Sequence, residues 1–370
     1  LFLKDLKIRN FRNIPKLDLN FDDKILYIYS PNGTGKTNIL EAIQCLSIGK
    51  SLRAGTEKNI FDFNKNRQKV LLTANIEDED EIVYQSNYLL LGEPKFKKEL
   101  YINKNKLSIN NFIGRSPSIW FSPESIKIIS SSPLSKRAYF DTILIQLFPE
   151  YYHHLKSYNR SLKQRNKLLQ SDFIDRELMK VWTEQLILHG SNIIKQRQSF
   201  YEMINTEFET LEAIKRYAFK IEPKPNVALD PVFNEDAEFK FKSELQNSYK
   251  RDLEFRSTSV GPHKDSWEIL IKIGKNKDFI SAEDFASRGQ QRMSLMLLQI
   301  ALINIFIRYK NLSPIMLLDD IFSELDYENE TILLDFLKEY NIQTFITGVH
   351  KLKDKKIKQL NLVEKLKSPK

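Results

Sequence analysis

Apolar and polar positions alternate over the first twenty residues. Leu6 and Ile8 lie two apart, as do Leu17, Leu19 and Phe21, with a polar turn from Asn10 to Pro15 between them. A period of two predicts a β-hairpin. Ile25–Tyr29 is an apolar run of strand length, Ser30 to Thr37 is a turn, and Ile39, Leu40, Ile43 and Leu46 recur at helical spacing. Strand patterning returns at Val70–Ile76, Ile82–Leu91 and Phe96–Ile102, with turns at 78–81 and 92–94, which predicts an antiparallel meander. From about Ser135 to Lys220 the pattern is helical, with Gly190 as the exception in a stretch nearly free of Gly and Pro. Pro223, Pro225 and Pro231 then predict a loop. The last third returns to mixed character: an apolar helix from Gln290 to Tyr309, a strand at Ile315–Leu318, another helix, and a strand at Thr344–Thr347. The Lys-rich tail from Lys351 to Lys370 is expected to be a partly ordered, solvated end, and is a weaker candidate for contact with a polyanion.

This order predicts an α/β fold in which residues 1–115 and 255–370 build one split domain and 116–254 form an inserted, mainly helical lobe. Composition fits a folded chain of 370 residues, 41% hydrophobic and 28% charged. The net charge of +9 and a pI near 9.2 favour a polyanionic partner. A single cysteine, Cys45, rules out a disulfide framework within the chain and suits a reducing, cytoplasmic setting. No apolar run stands out as a bilayer span, and Leu1 to Asp5 lack the organisation of a signal peptide. No His/Cys spacing suggests a structural metal.

The chemistry begins at Ser30-Pro31-Asn32-Gly33-Thr34-Gly35-Lys36-Thr37, followed by Asn38. A turn of this kind between a buried strand and a helix is the setting of a phosphate-binding loop. Gly33 and Gly35 let backbone N–H groups curl toward phosphate oxygens, and the helix N-terminus adds favourable partial charge. Lys36 is placed to reach the β- and γ-phosphates and Thr37 to offer a hydroxyl to Mg²⁺. Ser30 stands where the usual pattern has Gly, which costs about 1 kcal/mol if that position needs a positive φ. The bland alternative is a Gly-rich turn with no ligand.

The apolar strand Ile315–Leu318 ends in Asp319 and Asp320. Carboxylates at the C-terminal edge of such a strand lie where α/β sheets bind ligands. Asp319 is the candidate Mg²⁺ ligand facing Thr37, and Asp320 the candidate for polarising an attacking water. Lys36, Asp319 and Asp320 form the candidate catalytic set. Ser323 and Asp326 resemble the D-loop of ABC and SMC ATPases; they equally fit a helix cap. Ser287-Arg288-Gly289-Gln290 opens the apolar helix and resembles the ABC signature, in which Ser287, Gly289 and Gln290 would meet the γ-phosphate held by another subunit. A plain N-cap at Ser287 is the alternative.

Further segments resemble the RecF family of SMC-like ATPases. They are Asn10-Phe11-Arg12-Asn13, Phe121 to Glu124, Pro133 with Lys136 to Asp141, Tyr158-Asn159-Arg160, Gln164 to Leu169, and Thr258 with Gly261 to Asp265. The resemblance runs from the first residues to about Thr347. It implies an ABC/SMC-type head with a helical insertion and no long coiled coil. It also implies ATP and Mg²⁺ as cofactors, an ATP-bridged homodimer, weak DNA-stimulated ATPase activity, and duplex or gapped DNA as partner. By resemblance, RecR and RecO are protein partners in recombinational repair. Arg12 and Asn13 would lie beside the nucleotide, and Thr347 would be the switch residue. Arg256 replaces a Gly usual to the family, Lys264 an Arg, and Ser266 interrupts an acidic pair. A nucleotide-binding subunit of another ABC/SMC-type assembly, without direct DNA contact, is the competing class.

For DNA, the helix around Tyr151–Gln170 carries five Lys and Arg and no acid after Glu150. With Leu155, Leu162 and Leu169 as the buried seam and Tyr158 beside it, Lys156, Arg160, Lys163 and Lys167 fall within an arc of about 60°. Cations one turn apart can track phosphates; a solvated face is the alternative.

Overall fold

A computed structural model describes the chain except residues 52, 54–56, 62–68, 79–80, 93–96, 212–217, 230–235, 273–277, 322–326, 353–356 and 368–370. In chain order come β1 (Phe2–Phe11), β2 (Ile14–Asn20), β3 (Ile25–Tyr29), α1 (Lys36–Ile48), β4 (Lys69–Asp78), β5 (Glu81–Leu91), β6 (Lys97–Ile102), β7 (Asn105–Leu107), α2 (Ile109–Phe112) and β8 (Ser118–Phe121). Then follow α3 (Pro133–Leu147), α4 (Pro149–Gln170), α5 (Arg176–Thr210), β9 (Ala218–Lys224), α6 (Ala237–Glu254), β10 (Ser266–Lys272), β11 (Ile280–Ser281), α7 (Ala282–Phe285) and α8 (Arg288–Lys310). The chain continues with β12 (Ile315–Leu318), α9 (Tyr327–Glu339), β13 (Thr344–Gly348), β14 (Lys358–Asn361) and α10 (Leu362–Lys367).

Two compact units emerge: Leu1–Ile126 with Leu302–Lys370, and Lys127–Ala301. These boundaries differ from the expected 115/116 and 254/255. Residues 116–126 stay with the first unit because β8 pairs with β12. Residues 255–301 go with the helical unit because β10 pairs with β9 along its length, from Ser266↔Lys224 to Lys272↔Ala218.

The first unit has two sheets. One is antiparallel, in the order β2-β1-β4-β5-β6-β7; the other is parallel, in the order β14-β3-β13-β12-β8. β12 and β13 are buried at every residue, as a parallel sheet covered on both faces requires. β1 alternates instead, with Leu6 and Ile8 inward. α1 joins their core through Ile39, Leu40 and Ile43, packed in one cluster with Leu6, Ile8, Leu72, Leu317 and Phe345. It is buried nearly all round, with Glu41, Gln44 and Ser47 enclosed beside its apolar residues. At the end of β13, a Cβ on Gly348 would stand 1.9 Å from the Tyr27 phenol oxygen, which donates to the His350 carbonyl at 2.7 Å.

In the second unit, α3 to α6 pack with a small sheet, β11-β10-β9. Gly190 sits in α5 where a Cβ would meet the Phe241 ring at 2.4 Å and Tyr158 at 3.0 Å, which explains a glycine in mid-helix.

Three expectations change. Ala218–Lys224 is a strand, not a helix end: Phe219 and Ile221 are buried with period two, and Pro223 is tolerated because β9 is an edge strand. Among its described residues the tail is more ordered than expected, because β14 pairs in parallel with β3 and Ile357 and Leu362 are buried, while Lys351, Lys358, Lys365 and Lys367 stay exposed. α8 does have the length and mean hydropathy, 1.3, of a bilayer span, but 67% of that stretch is buried within the protein, as in a core helix. The predicted turns at 78–81 and 92–94 fall largely outside the described residues.

Candidate functional site

Parallel strands release their C-terminal ends on one side of a sheet. β3 therefore leads into the Ser30–Gly35 turn and α1 beside the ends of β13 and β12. β13 lies between the other two, so Thr347 stands next to both. Thr37 Oγ1 donates to Asp319 Oδ1 at 2.9 Å, and Thr347 Oγ1 donates to the same oxygen at 2.7 Å. Asp320 takes a left-handed φ of 51°, and its N–H donates to the Thr347 carbonyl at 3.1 Å and hydroxyl at 3.0 Å. Its backbone strain is held by these two bonds.

The loop is built as its sequence suggests. Gly33 and Gly35 have φ of 80° and 110°, a region costly for any side chain. Ser30 does not take a positive φ, so its place in the pattern carries no such cost. Its hydroxyl pairs with that of Thr34, which also donates to the Pro31 carbonyl at 2.9 Å. Lys36 Nζ donates to the carbonyls of Ser30 at 2.6 Å and Pro31 at 3.1 Å. Burial lowers the pKa of this ammonium, and the carboxylates of Asp320 and Asp319 oppose that shift.

A cavity of about 490 Å³ opens here, lined by Asn32, Gly33, Gly35, Lys36, Thr37, Asn38, Asp319 and Asp320. Arg53, Trp120, Ser122, Pro123 and Glu124 complete the wall. The last four follow from β8, a four-residue strand too short to stand out by periodicity. Arg53 has no local signal. Neither Arg12 nor Asn13 lines this cavity. Arg12 binds the fully buried Glu41 through Nη2 at 2.6 Å, and Arg53 binds the same carboxylate at 3.2 Å. Asn13 braces the loop, donating to the Gly33 carbonyl at 2.9 Å and accepting from Asn38 at 2.7 Å.

Comparison with known proteins now decides the family. The RecF/RecN/SMC N terminal domain description matches residues 2–368. The DNA replication and repair protein RecF of Clostridioides difficile (strain 630) is 32% identical over 356 residues, covering 94% of this chain and 91% of that protein. RecF of Clostridium perfringens (strain SM101 / Type A) is 33% identical over 350 residues, covering 94% and 92%. The chain belongs to the RecF family. A solved structure of the recombination mediator protein RecF-ATPrS in the RecFOR pathway superposes with a TM-score of 0.83 at 29% identity, covering 95% of this chain and 93% of that one. An Smc head bound to the C-winged helix domain of ScpA gives a TM-score of 0.51 at 17% identity and supports the fold alone. The architecture is that of an ABC/SMC-type ATPase head with a helical insertion.

In this RecF-family chain the other sequence candidates take definite places. In the second unit, Ser287 and Gly289 are exposed at the start of α8. Ser287 Oγ accepts from Gln290 N–H at 3.2 Å, and Gln290 Oε1 accepts from Ser287 N–H at 2.9 Å. That is a reciprocal cap, so the capping reading of Ser287 holds whatever else it does. Ser323 and Asp326 lie outside the described residues.

Lys156, Arg160, Lys163 and Lys167 are all exposed on α4. The expected seam is right in part: Leu169 and Tyr158 are buried, Leu155 and Leu162 are half-buried, and α4 also buries Tyr151, Ser161 and Arg165. The fifth cation, Arg165, occupies the seam because Asp252 matches its charge at 2.7 Å. Its guanidinium also donates to Thr258 Oγ1 at 2.7 Å, and Asn166 accepts from the Thr258 N–H at 2.8 Å.

Of the segments that resembled the RecF family, those from Pro133 onward converge on this buried region. Arg197 Nη2 pairs with Asp141 at 2.9 Å, while its Nη1 pairs with Asp265 at 2.8 Å and donates to the Pro262 carbonyl at 2.6 Å. Tyr158 Oη lies 2.6 Å from His263 Nδ1, and His263 Nε2 lies 3.1 Å from the Thr258 carbonyl. The carbonyl only accepts, so Nε2 carries the proton and Tyr158 donates to Nδ1. Burial pushes the His263 imidazole down to about 4. These segments therefore hold the lobe together through satisfied polar contacts.

Proposed function

We propose that this RecF-family protein binds ATP in the cavity at the ends of β3, β13 and β12, and that two copies close around two ATP molecules on duplex or gapped DNA. Slow hydrolysis, stimulated by DNA, then releases them. The observation that carries this reading is the joint of Thr37, Asp319 and Thr347 beside the phosphate loop. A hydroxyl and a carboxylate there are hard oxygen donors, which suit Mg²⁺ bound with substrate phosphates. Thr37 and Asp319 would hold that ion, which offsets charge on the β- and γ-oxygens when bound.

In this proposal Lys36 exchanges its loop carbonyls for phosphate oxygens. Asp320 orients the attacking water, and Thr347 keeps Asp319 aimed. Asn13 acts by bracing Gly33, and Arg12 by holding Glu41 against Arg53. Ser287, Gly289 and Gln290 of one copy reach the γ-phosphate on the other, with Ser323 and Asp326 at the same junction. A two-fold arrangement completes two sites at once. Lys156, Arg160, Lys163 and Lys167 contact DNA phosphates without reading sequence. The work belongs to DNA repair and replication in the cytoplasm, with RecR and RecO as partners; the RecFOR pathway named for the solved relative supports that choice.

Sedimentation with and without ATP-Mg²⁺ and gapped duplex DNA, alongside Lys36→Met, tests the reading. ATP-driven dimers that retain DNA, absent in the variant, are expected. Oligomer state and DNA binding indifferent to nucleotide would replace it with a plain docking role.

A further inference from the structure

The four exposed cations of α4 have an apolar neighbour within the same helical unit. α4 and α5 run antiparallel. His154 hydrogen-bonds His189 at 3.1 Å, the Arg160 guanidinium sits 5.8 Å from the Trp182 ring centre, and Arg165 Nε donates to Thr183 Oγ1 at 3.2 Å. Beside the cation row, α5 leaves large apolar residues in water: Leu178 is 48% exposed, Val181 50% and Leu188 44%. We propose that this face of the helical unit binds single-stranded DNA, holding its phosphates on the α4 cations and laying its bases on Trp182 and the apolar strip of α5. The inference rests on the reading of α4 as a DNA contact and narrows that contact to the unpaired strand of a gap.

The two rows match the chemistry of an unpaired strand. A duplex keeps its base faces stacked and offers phosphates, sugars and groove edges. A single strand offers apolar base faces beside its phosphates, and its sites combine a cationic track with surfaces for stacking. One exposed leucine needs no explanation, but these residues share a strip. At about 100° per residue, Leu178, Val181, Trp182, Gln185 and Leu188 fall within about 120° of the α5 circumference. No Asp or Glu between Leu178 and Leu188 lies inside that arc; Glu184 falls on the flank away from Trp182. Leu178 and Leu188 are about 15 Å apart along α5, against about 16 Å for the cation row on α4. Asp172, Asp175 and Glu177 stand at the turn between the helices, where like charge limits the phosphate track at its Lys167 end.

Trp182 is the residue that joins the two rows. It is half-buried, so its indole is oriented by the fold, while Arg160 beside it is exposed. In the proposed complex the Arg160 guanidinium turns to a phosphate and the indole takes a base in its place. A guanidinium is suited to that exchange, because it pairs with phosphate and stacks on aromatic faces alike. The chain has three tryptophans. Trp267 is buried and Trp120 lines the phosphate cavity, which leaves Trp182 as the one beside the α4 cations. The cation row is visible in sequence, but the strip next to it depends on how α5 pairs with α4, which no spacing within either helix reports.

Tryptophan emission of the full chain reads the site directly. Titration with an oligothymidylate should quench a component that Trp182→Phe removes. Trp182→Leu should weaken oligothymidylate binding about 5- to 150-fold, the range for loss of one base–aromatic stack, with its salt slope kept. Binding of a duplex of equal length should stay within about twofold, because its bases remain stacked. Trp182 also packs beside Arg160, so a second variant, Leu178→Ser with Val181→Ser, alters surface positions alone; it should weaken the single strand about tenfold and spare the duplex. Emission unchanged at saturating oligothymidylate, or equal losses for single strand and duplex in variants shown folded by circular dichroism, overturns the inference and leaves the strip to a protein partner. The underlying reading fails separately. If Arg160→Gln with Lys163→Gln leaves duplex binding and its salt slope untouched, α4 is no DNA contact and this site falls with it. A duplex slope that drops while Trp182 emission ignores the single strand refutes the stacking face alone.

Discussion

Neutralising two cations on α4 gives the sharpest test of where DNA lies. Lys156 and Lys167 are eleven residues apart, so the four exposed cations span about 16 Å of helix. That length of duplex presents about ten phosphate charges, more than enough for four contacts. Four contacts give a salt slope of about −3.6, and Arg160→Gln with Lys163→Gln lowers it to about −1.8. Raising salt from about 50 to 200 mM should then weaken the patch's share of binding about 150-fold in the wild type but only about 12-fold in the variant. The fold is a second variable, because the Arg160 guanidinium sits 5.8 Å from the Trp182 ring centre. That contact is worth about 0.5–1 kcal/mol at an exposed site, so circular dichroism must accompany the binding series. The assay is fluorescence anisotropy of labelled gapped duplex with ATP-Mg²⁺ across five salt concentrations. A folded variant whose slope matches the wild type would remove α4 from the interface.

Three more expectations follow from single residues. Thr347→Val keeps the side-chain shape but removes a donor to a carboxylate, worth about 1.5–3 kcal/mol; ATP turnover should drop about 10- to 100-fold, and an unchanged kcat would contradict the aiming role of Thr347. Arg256 is exposed just past α6 with a φ of 49°, so Arg256→Gly should raise the urea midpoint by the equivalent of about 0.5–1 kcal/mol; a lower midpoint would show that the strain is illusory. His263 is held neutral in the fold, with its pKa down at about 4, whereas the unfolded chain protonates near 6.5. Protons therefore favour the unfolded state between those values, and stability should fall by about 2–3 kcal/mol as pH drops from 6.5 to 4. His263→Gln should flatten that part of the curve in urea titrations, and parallel curves would exclude His263 as the cause.

Much of the candidate cavity was legible because its residues are local in sequence or mark strand ends. Gly33, Gly35, Lys36 and Thr37 follow one apolar run, and Asp319 and Asp320 follow another. Their meeting depended on β3 and β12 both pairing with β13, which no periodicity reports. β8 escaped notice because four residues carry little pattern, and with it went Trp120; Phe121 to Glu124 stood out by family resemblance alone, which assigned them no place in the cavity wall. The strand at Ala218–Lys224 was hidden by two prolines and by helix-like neighbours; only its pairing with β10 defines it. On α4, seven-residue leucine spacing found only one side of the buried stripe and missed Tyr151, Ser161 and Arg165. Arg165 counts as polar in any such scheme, yet Asp252 and Thr258 make its burial affordable. Buried ion pairs of this kind break hydrophobic patterning because the partner lies far along the chain.

The close approach of Gly348 to Tyr27 has a consequence for how the sequence can drift. A methyl group at 348 would overlap the phenol oxygen, so no single substitution there is mild while residue 27 remains Tyr. The phenol in turn fixes the carbonyl of His350, just past the strand that carries Thr347. Positions 27 and 348 are thus tied as a pair. A side chain at 348 demands a smaller residue at 27, whereas residue 27 can shrink while Gly348 stays, so the path between two working sequences changes 27 first.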